Sequence, residues 1–371
     1  MSHSPSNAGW GKPPWKIDFH AAARELPSEV DFAVVGAGFS GLSAACRLRQ
    51  LQPEKTMIVF EADRVGAGSS GHTGGMSLAE SAAGDLPGLG DVLEGFGEIQ
   101  RDLEIDCDFS LPGAWELGRK NIKKDSPVSW NDSGTLGVVH EVPGGTVDPG
   151  KLISGLARAA QQLGAGIFEN ARVEKISYHQ PLALAVAGKR VLAHEVLIAT
   201  NAKSLELSDL AGEAEPKFTL ALATEPLSDA ALEELGLLSH RPFYTVDMPY
   251  LWGRGLHEKQ MIFGSGLVHF SHWSKLHALS VGSGEAARLM RLLESRVRGL
   301  HPVLQNVQFT NLWGGPILIT DKLKPVFRRH LKSRNIIVLG GYSGHGVALS
   351  VYLGRWAAEV MAGTRKLPKW N

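Results

Sequence analysis

Short apolar runs punctuate the chain, and the first two enclose a helical pattern. Asp31-Phe-Ala-Val-Val35 leads straight into glycine, and Thr56-Met-Ile-Val-Phe60 is fully apolar and ends at Glu61. Runs of this kind predict buried parallel strands. Between them, the residues after Gly41 are strong helix formers with Ala44, Leu48 and Leu51 at i, i+4, i+7 spacing, and Pro53 closes the segment. The pattern is a strand, a helix and a second strand.

The same alternation returns later. Asp148 is placed as the N-cap of an amphipathic helix that has Pro149 at its first position and runs to Leu163, where Gly164 stops it. Ile167-Phe168 and Arg172–Ile176 follow as strands, and His194–Ala202 is another buried strand ending in small polar residues. Asn335–Leu339 is a further strand, followed by a glycine turn and a helix start. Other stretches read differently. Residues 77–110 are helical in their second half, and 111–147 are strands broken by proline and glycine. From 216 to 330, β-like runs at Phe218–Thr224, Tyr244–Trp252, Met261–Gly264 and Phe309–Trp313 surround one helix near Gly284–Val297, the composition of an antiparallel sheet.

These patterns give an α/β (α+β) chain whose Rossmann-like domain is assembled from 30–110, 148–215 and 331–371. A second lobe, 111–147 and 216–330, is inserted into it. Residues 1–29 read as an extended arm anchored by Trp10 and Trp15.

The glycines carry the first chemical signal. Gly36, Gly38 and Gly41 stand at G-x-G-x-x-G spacing between strand and helix, which suits a tight turn, a close backbone approach to a pyrophosphate and close helix packing. An anion there meets the helix N-terminus. Glu61 lies where an acidic side chain accepts hydrogen bonds from an adenosine ribose. A second Gly/Ser-rich loop, Asp63–Met76, has no obvious use in a fold that binds only NAD, but suits a cofactor that continues into a large tricyclic ring.

Composition narrows the partners. With 38 basic and 38 acidic residues, the chain has no net attraction to nucleic acid or an anionic membrane. Its longest uncharged run, Asn335–Gly354, carries glycines and a histidine and reads as strand, turn and helix rather than a membrane span. Two cysteines and a start lacking a signal-peptide pattern predict a cytoplasmic protein without disulfides. Cys46 reads as a small buried apolar residue. Cys107, flanked by Asp106 and Asp108, should have a raised thiol pKa. No metal site is expected: the string His269–His277 has no acidic or cysteine partner and reads as a surface loop.

The ordered motifs Val35–Leu42, Glu61, Gly68–Gly75, Ile198–Ala202, Trp313-Gly-Gly-Pro316 and Gly341–Leu349 together resemble the FAD-dependent amine and amino-acid oxidoreductases of the D-amino-acid oxidase type. That group includes glycine oxidase, sarcosine oxidase and γ-glutamylputrescine oxidase, the last being most similar at Gly341–Leu349. The resemblance implies a Rossmann-like FAD-binding domain with an inserted antiparallel-sheet substrate domain. It assigns Gly36, Ala37, Gly38, Phe39, Ser40 and Gly41 to the pyrophosphate turn, and Glu61 and Ala62 to the ribose end. Val173 would meet the adenine through its backbone, and Thr200 joins the cofactor set. Ser69, Ser70, His72, Thr73, Gly74, Gly75 and Met76 would run beside the ribityl chain and ring. Gly341, Ser343, Gly344, His345, Gly346 and Val347 would face the pyrimidine edge, where a helix N-terminus stabilises the charge that develops on reduction.

In dimethylglycine and sarcosine dehydrogenases a histidine in a similar glycine-rich loop is bonded to the flavin. Gly68-Ser-Ser-Gly-His72 lies over that loop without a gap. FAD held covalently through His72, and FAD with His72 as a hydrogen-bonding neighbour, both stay open. Where monomeric sarcosine oxidases carry a lysine over the flavin, this chain has Ile262, with Lys259 off register, so oxygen or another acceptor stays open too.

The implied reaction is oxidation of the C–N bond of a small amine or amino acid by hydride transfer to flavin N5, giving an imine that hydrolyses to a carbonyl compound. Tyr250, Arg254, Trp313 and His345, with His269, are the candidate substrate or catalytic contacts. Arg254 could hold a carboxylate. The alternatives are a noncatalytic flavin-binding protein, a flavin dehydrogenase passing electrons to a partner, and an NAD-dependent dehydrogenase.

Overall fold

The computed structural model describes residues 8–22 and 24–370. Its first eight-stranded sheet runs in the order Val326–His330, Ser333–Gly340, Lys189–Ile198, Glu29–Val35, Met57–Phe60 and Gly166–Phe168, with the antiparallel strands Leu182–Val186 and Val173–Ser177 attached beside Lys189–Ile198. The five strands from Ser333–Gly340 to Gly166–Phe168 are mutually parallel. Parallel pairing brings Ile198 beside Val35 and Phe60 on its other flank, so three chain segments leave the sheet at one end. There the glycine turn begins.

The helix Phe39–Leu51 returns from that turn and packs on the C-terminal helix Val347–Met361. Glycine permits the crossing: a Cβ on Gly354 would stand 2.4 Å from the carbonyl oxygen of Ser40. Leu42, Leu48, Leu349 and Leu353 are fully buried between these elements and the sheet. Each such side chain contributes about 1.5–3 kcal/mol by leaving water. The helix expected from Asp148 spans Pro149–Gln162, and the Asp148 carboxylate accepts the N–H of Lys151 at 2.8 Å. Burial, aided by the flanking Asp106 and Asp108, pushes the Cys107 thiol up to about 12, and burial does the same to Cys46.

The second eight-stranded sheet runs Phe309–Thr320, Ala214–Thr224, Met261–Val268, Trp252–Gly255, Phe243–Thr245, Ala114–Gly118, Thr135–Val142 and Trp130–Asn131. All its pairings are antiparallel except that of Phe243–Thr245 with Ala114–Gly118. The run Tyr244–Trp252 is therefore two strands rather than one, divided by a loop at 246–251. The helix Gly284–Leu300 covers this sheet through Met290, Leu293, Val297 and Leu300.

The N-terminal arm ties the two sheets together. Trp10 is 0% exposed and donates its indole N–H to the Leu276 carbonyl at 2.8 Å. Trp15 donates to the carbonyl of Gly71 at 2.8 Å, and Gly11 forms an antiparallel bridge with Trp313. Residues 1–7 lie outside the described part of the arm. Among the described residues no helix is long and apolar enough to cross a membrane.

Candidate active site

A cavity of about 950 Å³ opens where the carboxyl ends of the parallel strands meet the second sheet. Four segments build its wall: the turn after Val35, the loop 68–76, the segment after Ile198, and the glycine turn before Val347. Open α/β sheets bind ligands at this end.

Local backbone demands shape the nucleotide end. Gly36 has φ of +108°, and a Cβ there would lie 2.7 Å from the Ala199 carbonyl oxygen. At Gly41 a Cβ would lie 1.9 Å from the Gly36 carbonyl oxygen, so only glycine lets the helix start this close to the strand. Glu61 accepts the N–H of Ala37 and the N–H of Asp63, both at 3.0 Å. Burial raises the pKa of its carboxyl, while the Ala37 amide and Lys203 oppose that shift. With one backbone donor on each oxygen, the carboxylate keeps lone pairs for hydroxyl donors from a ligand.

The middle of the cavity is lined by a short helix, Ser69–His72, and the turn after it. Ser70 Oγ accepts the N–H of Phe39 at 3.0 Å, joining the two glycine-rich segments. His72 Nδ1 is bonded to the Gly68 carbonyl at 2.9 Å, so Nδ1 carries the proton and Nε2 keeps its lone pair. Burial brings the pKa of His72 down to about 4. The ring is neutral at physiological pH and meets the Trp10 ring edge-to-face at 5.2 Å.

The far end is made by the glycine turn before Val347. Ser343 and Gly344 have φ of +50° and +95°, which curls the chain so that the start of the helix Val347–Met361 borders the cavity. Ser343 is fixed to the second sheet, donating its N–H to Leu318 and accepting that of Thr320 at 3.1 and 3.2 Å. Burial lowers the pKa of His345, which is also neutral.

Most of the expected cofactor residues line this cavity: Gly36, Gly38, Phe39 and Ser40; Glu61 and Ala62; Ser69, Ser70, His72, Thr73, Gly74 and Met76; Val173 and Thr200; Ser343, Gly344, His345, Gly346 and Val347. Ala37, Gly41, Gly75 and Gly341 instead stand behind the wall and shape it. The N–H of Gly341 donates to Asn201 Oδ1 at 3.0 Å, and the Gly75 carbonyl accepts the N–H of Val147 at 2.9 Å. Tyr250, His345 and His269 line the cavity, and so does His277, so the string His269–His277 is not simply a surface loop.

Two expected substrate contacts are corrected. Arg254 is 5% exposed and lies behind the cavity wall, with its guanidinium donating to the backbone carbonyls of Gly74, Val147 and Gly255. Burial pulls its pKa down to about 10, so it stays cationic and fastens the loop 68–76 to the second sheet. Trp313 is fully buried, donates to the His72 carbonyl at 3.1 Å and packs edge-to-face on Trp15. Its indole holds the loop from behind.

Other lining residues carry weight that sequence reasoning did not give them. Asn201 accepts from Gly341 and donates to Ser69 Oγ at 3.1 Å, clasping three of the four segments. Its signal lay in the stretch Ile198–Ala202. Lys203 places positive charge beside Glu61 and Asp63; burial and the neighbouring Arg172 lower its pKa, and the two carboxylates oppose that. Arg172 itself lies over the Trp273 ring, 5.3 Å from its centre. The ring of Trp252 fills the space over Gly74, where a Cβ would lie 2.1 Å from it.

The cavity suits a long dinucleotide. Thr200 Oγ1 and His345 Nδ1 are buried on its wall without a hydrogen-bond partner among the described residues. Its ends combine a glycine turn at a helix start with a buried carboxylate at one side, and a second helix start at the other.

Residues 31–360 match the family of FAD dependent oxidoreductases known as DAO. The chain belongs to that family, and its cofactor is FAD. It is 27% identical over 377 residues to γ-glutamylputrescine oxidoreductase of Escherichia coli (strain K12), a match covering 90% of this chain and 84% of that protein. It is 22% identical to the formaldehyde-forming 4-methylaminobutanoate oxidase of Paenarthrobacter nicotinovorans, over 91% of this chain and 44% of that one. In fold it is similar to glycine oxidase from Geobacillus kaustophilus, with a TM-score of 0.72, 18% identity and coverage of 92% and 97%. L-proline dehydrogenase from P. horikoshii gives a TM-score of 0.73, 17% identity and coverage of 92% and 96%.

Proposed function

We propose that this flavoenzyme oxidises the C–N bond of an amine that lacks a carboxylate beside the reacting carbon. The observation that carries this reading is the engagement of Arg254. Its guanidinium is taken up by the carbonyls of Gly74, Val147 and Gly255; of the lining Lys and Arg residues among the described residues, Lys203 faces Glu61 and Asp63, and Arg172 lies over the Trp273 ring. Toward Tyr250 and Trp252, the described lining side chains are apolar, aromatic, hydroxyl or imidazole groups. A neutral amine fits there, whereas an α-carboxylate would be buried without a cation. The amine names of two relatives agree with this reading.

When bound, FAD supplies the acceptor for the hydride of the C–H bond next to nitrogen, and the resulting imine hydrolyses in water. The chain's own residues do the rest. Glu61 and the turn 36–41 would hold the nucleotide half of FAD, and the loop 68–76 would border the rest of it. The N–H groups that begin the helix Val347–Met361 put positive potential where negative charge develops. Neutral His72 and His345 leave that part of the cavity uncharged, so burial favours the neutral amine, whose nitrogen lone pair the hydride loss requires.

Two details of this chain bear on variants of the reaction. His72, with Nδ1 tied to Gly68, offers Nε2 as a lone pair toward a covalent bond with FAD. Acid precipitation tests this directly: colour in the pellet that disappears in His72→Ala indicates a bond, and colour in the supernatant indicates a contact only. Ile262 is fully buried against Trp15 and Trp313, while Lys259 sits in an exposed turn paired with Asp229. The absence of lysine from this strand's cavity side supports a second reading, a dehydrogenase that passes electrons to a partner rather than to oxygen.

The test is anaerobic mixing of the FAD-loaded protein with γ-glutamylputrescine, putrescine, 4-methylaminobutanoate, glycine and L-proline. Bleaching by the amines and not by the two α-amino acids supports the proposal. Bleaching by glycine or proline overturns it, and no bleaching at all favours a noncatalytic flavoprotein. Oxygen uptake in air then separates oxidase from dehydrogenase.

A further inference from the structure

The loop 246–251, which divides the expected long strand, forms part of the cavity wall through Met248, Pro249 and Tyr250, with Ser265, Gly266 and Leu267 beside it. Met248 is 79% exposed and Tyr250 40%, so neither is held by burial. The hairpin's own hydrogen bonds lie at the base of the loop, where Thr245 donates its N–H to Leu251 and Leu251 donates its N–H to Thr245 Oγ1. Something else must fix the tip.

Two arginines from other elements do so, joined by Ser265, whose hydroxyl donates to the Tyr250 carbonyl. Arg119, just after the strand Ala114–Gly118, donates from Nη1 to the Met248 carbonyl at 3.4 Å and to the Asp247 carboxylate. Arg296, on the helix Gly284–Leu300, donates to the carbonyls of Pro249 and Tyr250, each at 2.7 Å, and to Ser265 Oγ at 3.1 Å. Three consecutive carbonyls of the loop are thus held by side chains from outside it.

Both guanidiniums converge on one buried carboxylate. Asp132 Oδ2 accepts from Arg119 Nη2 at 2.7 Å and from Arg296 Nη2 at 2.6 Å, Oδ1 accepts from Arg296 Nε at 3.0 Å, and the Asp132 carbonyl accepts from Arg119 Nε at 2.6 Å. Its side chain is 5% exposed, against 13% and 16% for the two arginines. Asp132 and Asp247 balance the two cations. Without the Asp132 carboxylate, Arg296 would lose its carboxylate partner and Arg119 would keep only Asp247, leaving two partly buried guanidiniums that repel each other.

We propose that Asp132 is a positioning residue for substrate: through Arg119 and Arg296 it holds the loop 246–251 as the wall of the substrate end and so sets the enzyme's affinity for its amine. This rests on the reading of the cavity as an amine site. A carboxylate that only pinned the helix Gly284–Leu300 to the sheet would affect stability and not substrate affinity.

The test uses the full-length, FAD-loaded protein and whichever amine of the panel above bleaches the parent flavin fastest. Asp132→Asn should raise KM about tenfold or more while kcat stays within about twofold and flavin content is unchanged, because the reacting groups themselves are untouched. Asp132→Glu should recover part of the affinity. Asp247→Asn, which cuts one arm and is more exposed, should give a smaller rise in KM; it carries the test alone if Asp132→Asn does not fold. Unchanged KM in the variant that folds overturns the proposal, as does a fall in kcat with loss of flavin. If no amine bleaches the parent, the functional reading has failed instead, and hydrogen exchange decides for the relay. Amides of 246–251 should then exchange faster in Asp132→Asn while those of 284–300 do not. Equal exchange in both proteins refutes it.

Discussion

The indole N–H of Trp313 donates to the backbone carbonyl of His72 at 3.1 Å, joining the longest strand of the second sheet to the loop 68–76. One hydrogen bond thus links the second sheet to the loop 68–76 that lines the cavity. Trp313→Phe keeps the buried ring and removes the donor, leaving the partly buried His72 carbonyl without it. The expected cost is about 1–2 kcal/mol, seen as a melting temperature lower by a few degrees. KM for the amine should stay unchanged, since the ring stands behind the wall. A large change in KM with intact stability would return Trp313 to the set of substrate contacts.

Glu61 spends one oxygen on each of two backbone N–H groups, those of Ala37 and Asp63. In Glu61→Gln the amide NH2 must face one of these donors, which both breaks that bond and deforms the turn before Gly38. FAD affinity should fall about 10- to 100-fold, corresponding to one lost charge-assisted hydrogen bond. Titration of the apoprotein, followed by quenching of flavin fluorescence, measures it. Affinity equal to the parent's would mean that Glu61 serves the fold alone.

The two glycines flanking the start of the first helix should respond differently to alanine. At Gly41 the new Cβ would lie 1.9 Å from a backbone oxygen, which has nowhere to go. At Gly38 it would lie 2.9 Å from Ser70 Oγ, a side-chain atom that can rotate. Gly41→Ala is therefore expected to fold poorly. Gly38→Ala should fold with a melting temperature near the parent's yet bind FAD more weakly, because its methyl group crowds the cavity. Comparing apoprotein melting with FAD titration separates the two effects.

His72 gives the apoprotein a pH dependence of definite sign. Burial brings its folded pKa down to about 4 from the ordinary 6.5, so between these values the unfolded state binds a proton that the folded state refuses. Stability then rises with pH, and His72 contributes a loss as pH falls from 6.5 toward 4. The size is on the order of 3 kcal/mol over the whole range. His72→Asn should flatten the stability profile in that window and leave it unchanged above. Parallel profiles for the two proteins would contradict a buried neutral histidine.

Much of the site was legible because glycine turns and capped helices are local demands of the backbone. Gly36 needs its positive φ whatever surrounds it, and Asp148 caps its helix from three residues away. Asn201 and Lys203 were harder to see. Polar residues after a strand look like any loop until parallel pairing of Ile198 with Val35 carries them to the mouth of the glycine turn. Arg254 misled for the opposite reason. A charged residue beside a hairpin suggests an exposed ligand group, yet the carbonyls of Gly74 and Val147, distant in sequence, converge on it and bury it. The division of Tyr244–Trp252 was legible in Asp247 and Pro249, which interrupt the run, but the apolar and aromatic residues on either side outweighed them; the first piece, Phe243–Thr245, pairs in parallel with Ala114–Gly118 and ends after three residues.

The measurement that bears most directly on the central claim is the flavin absorbance of the FAD-loaded protein before and after anaerobic addition of an amine. Loss of the yellow colour with γ-glutamylputrescine or a related amine, and its persistence with glycine and L-proline, is the result expected of a C–N oxidoreductase whose Arg254 is already engaged by backbone carbonyls. A flavin that every amine leaves oxidised, or that glycine or proline bleaches first, would contradict it.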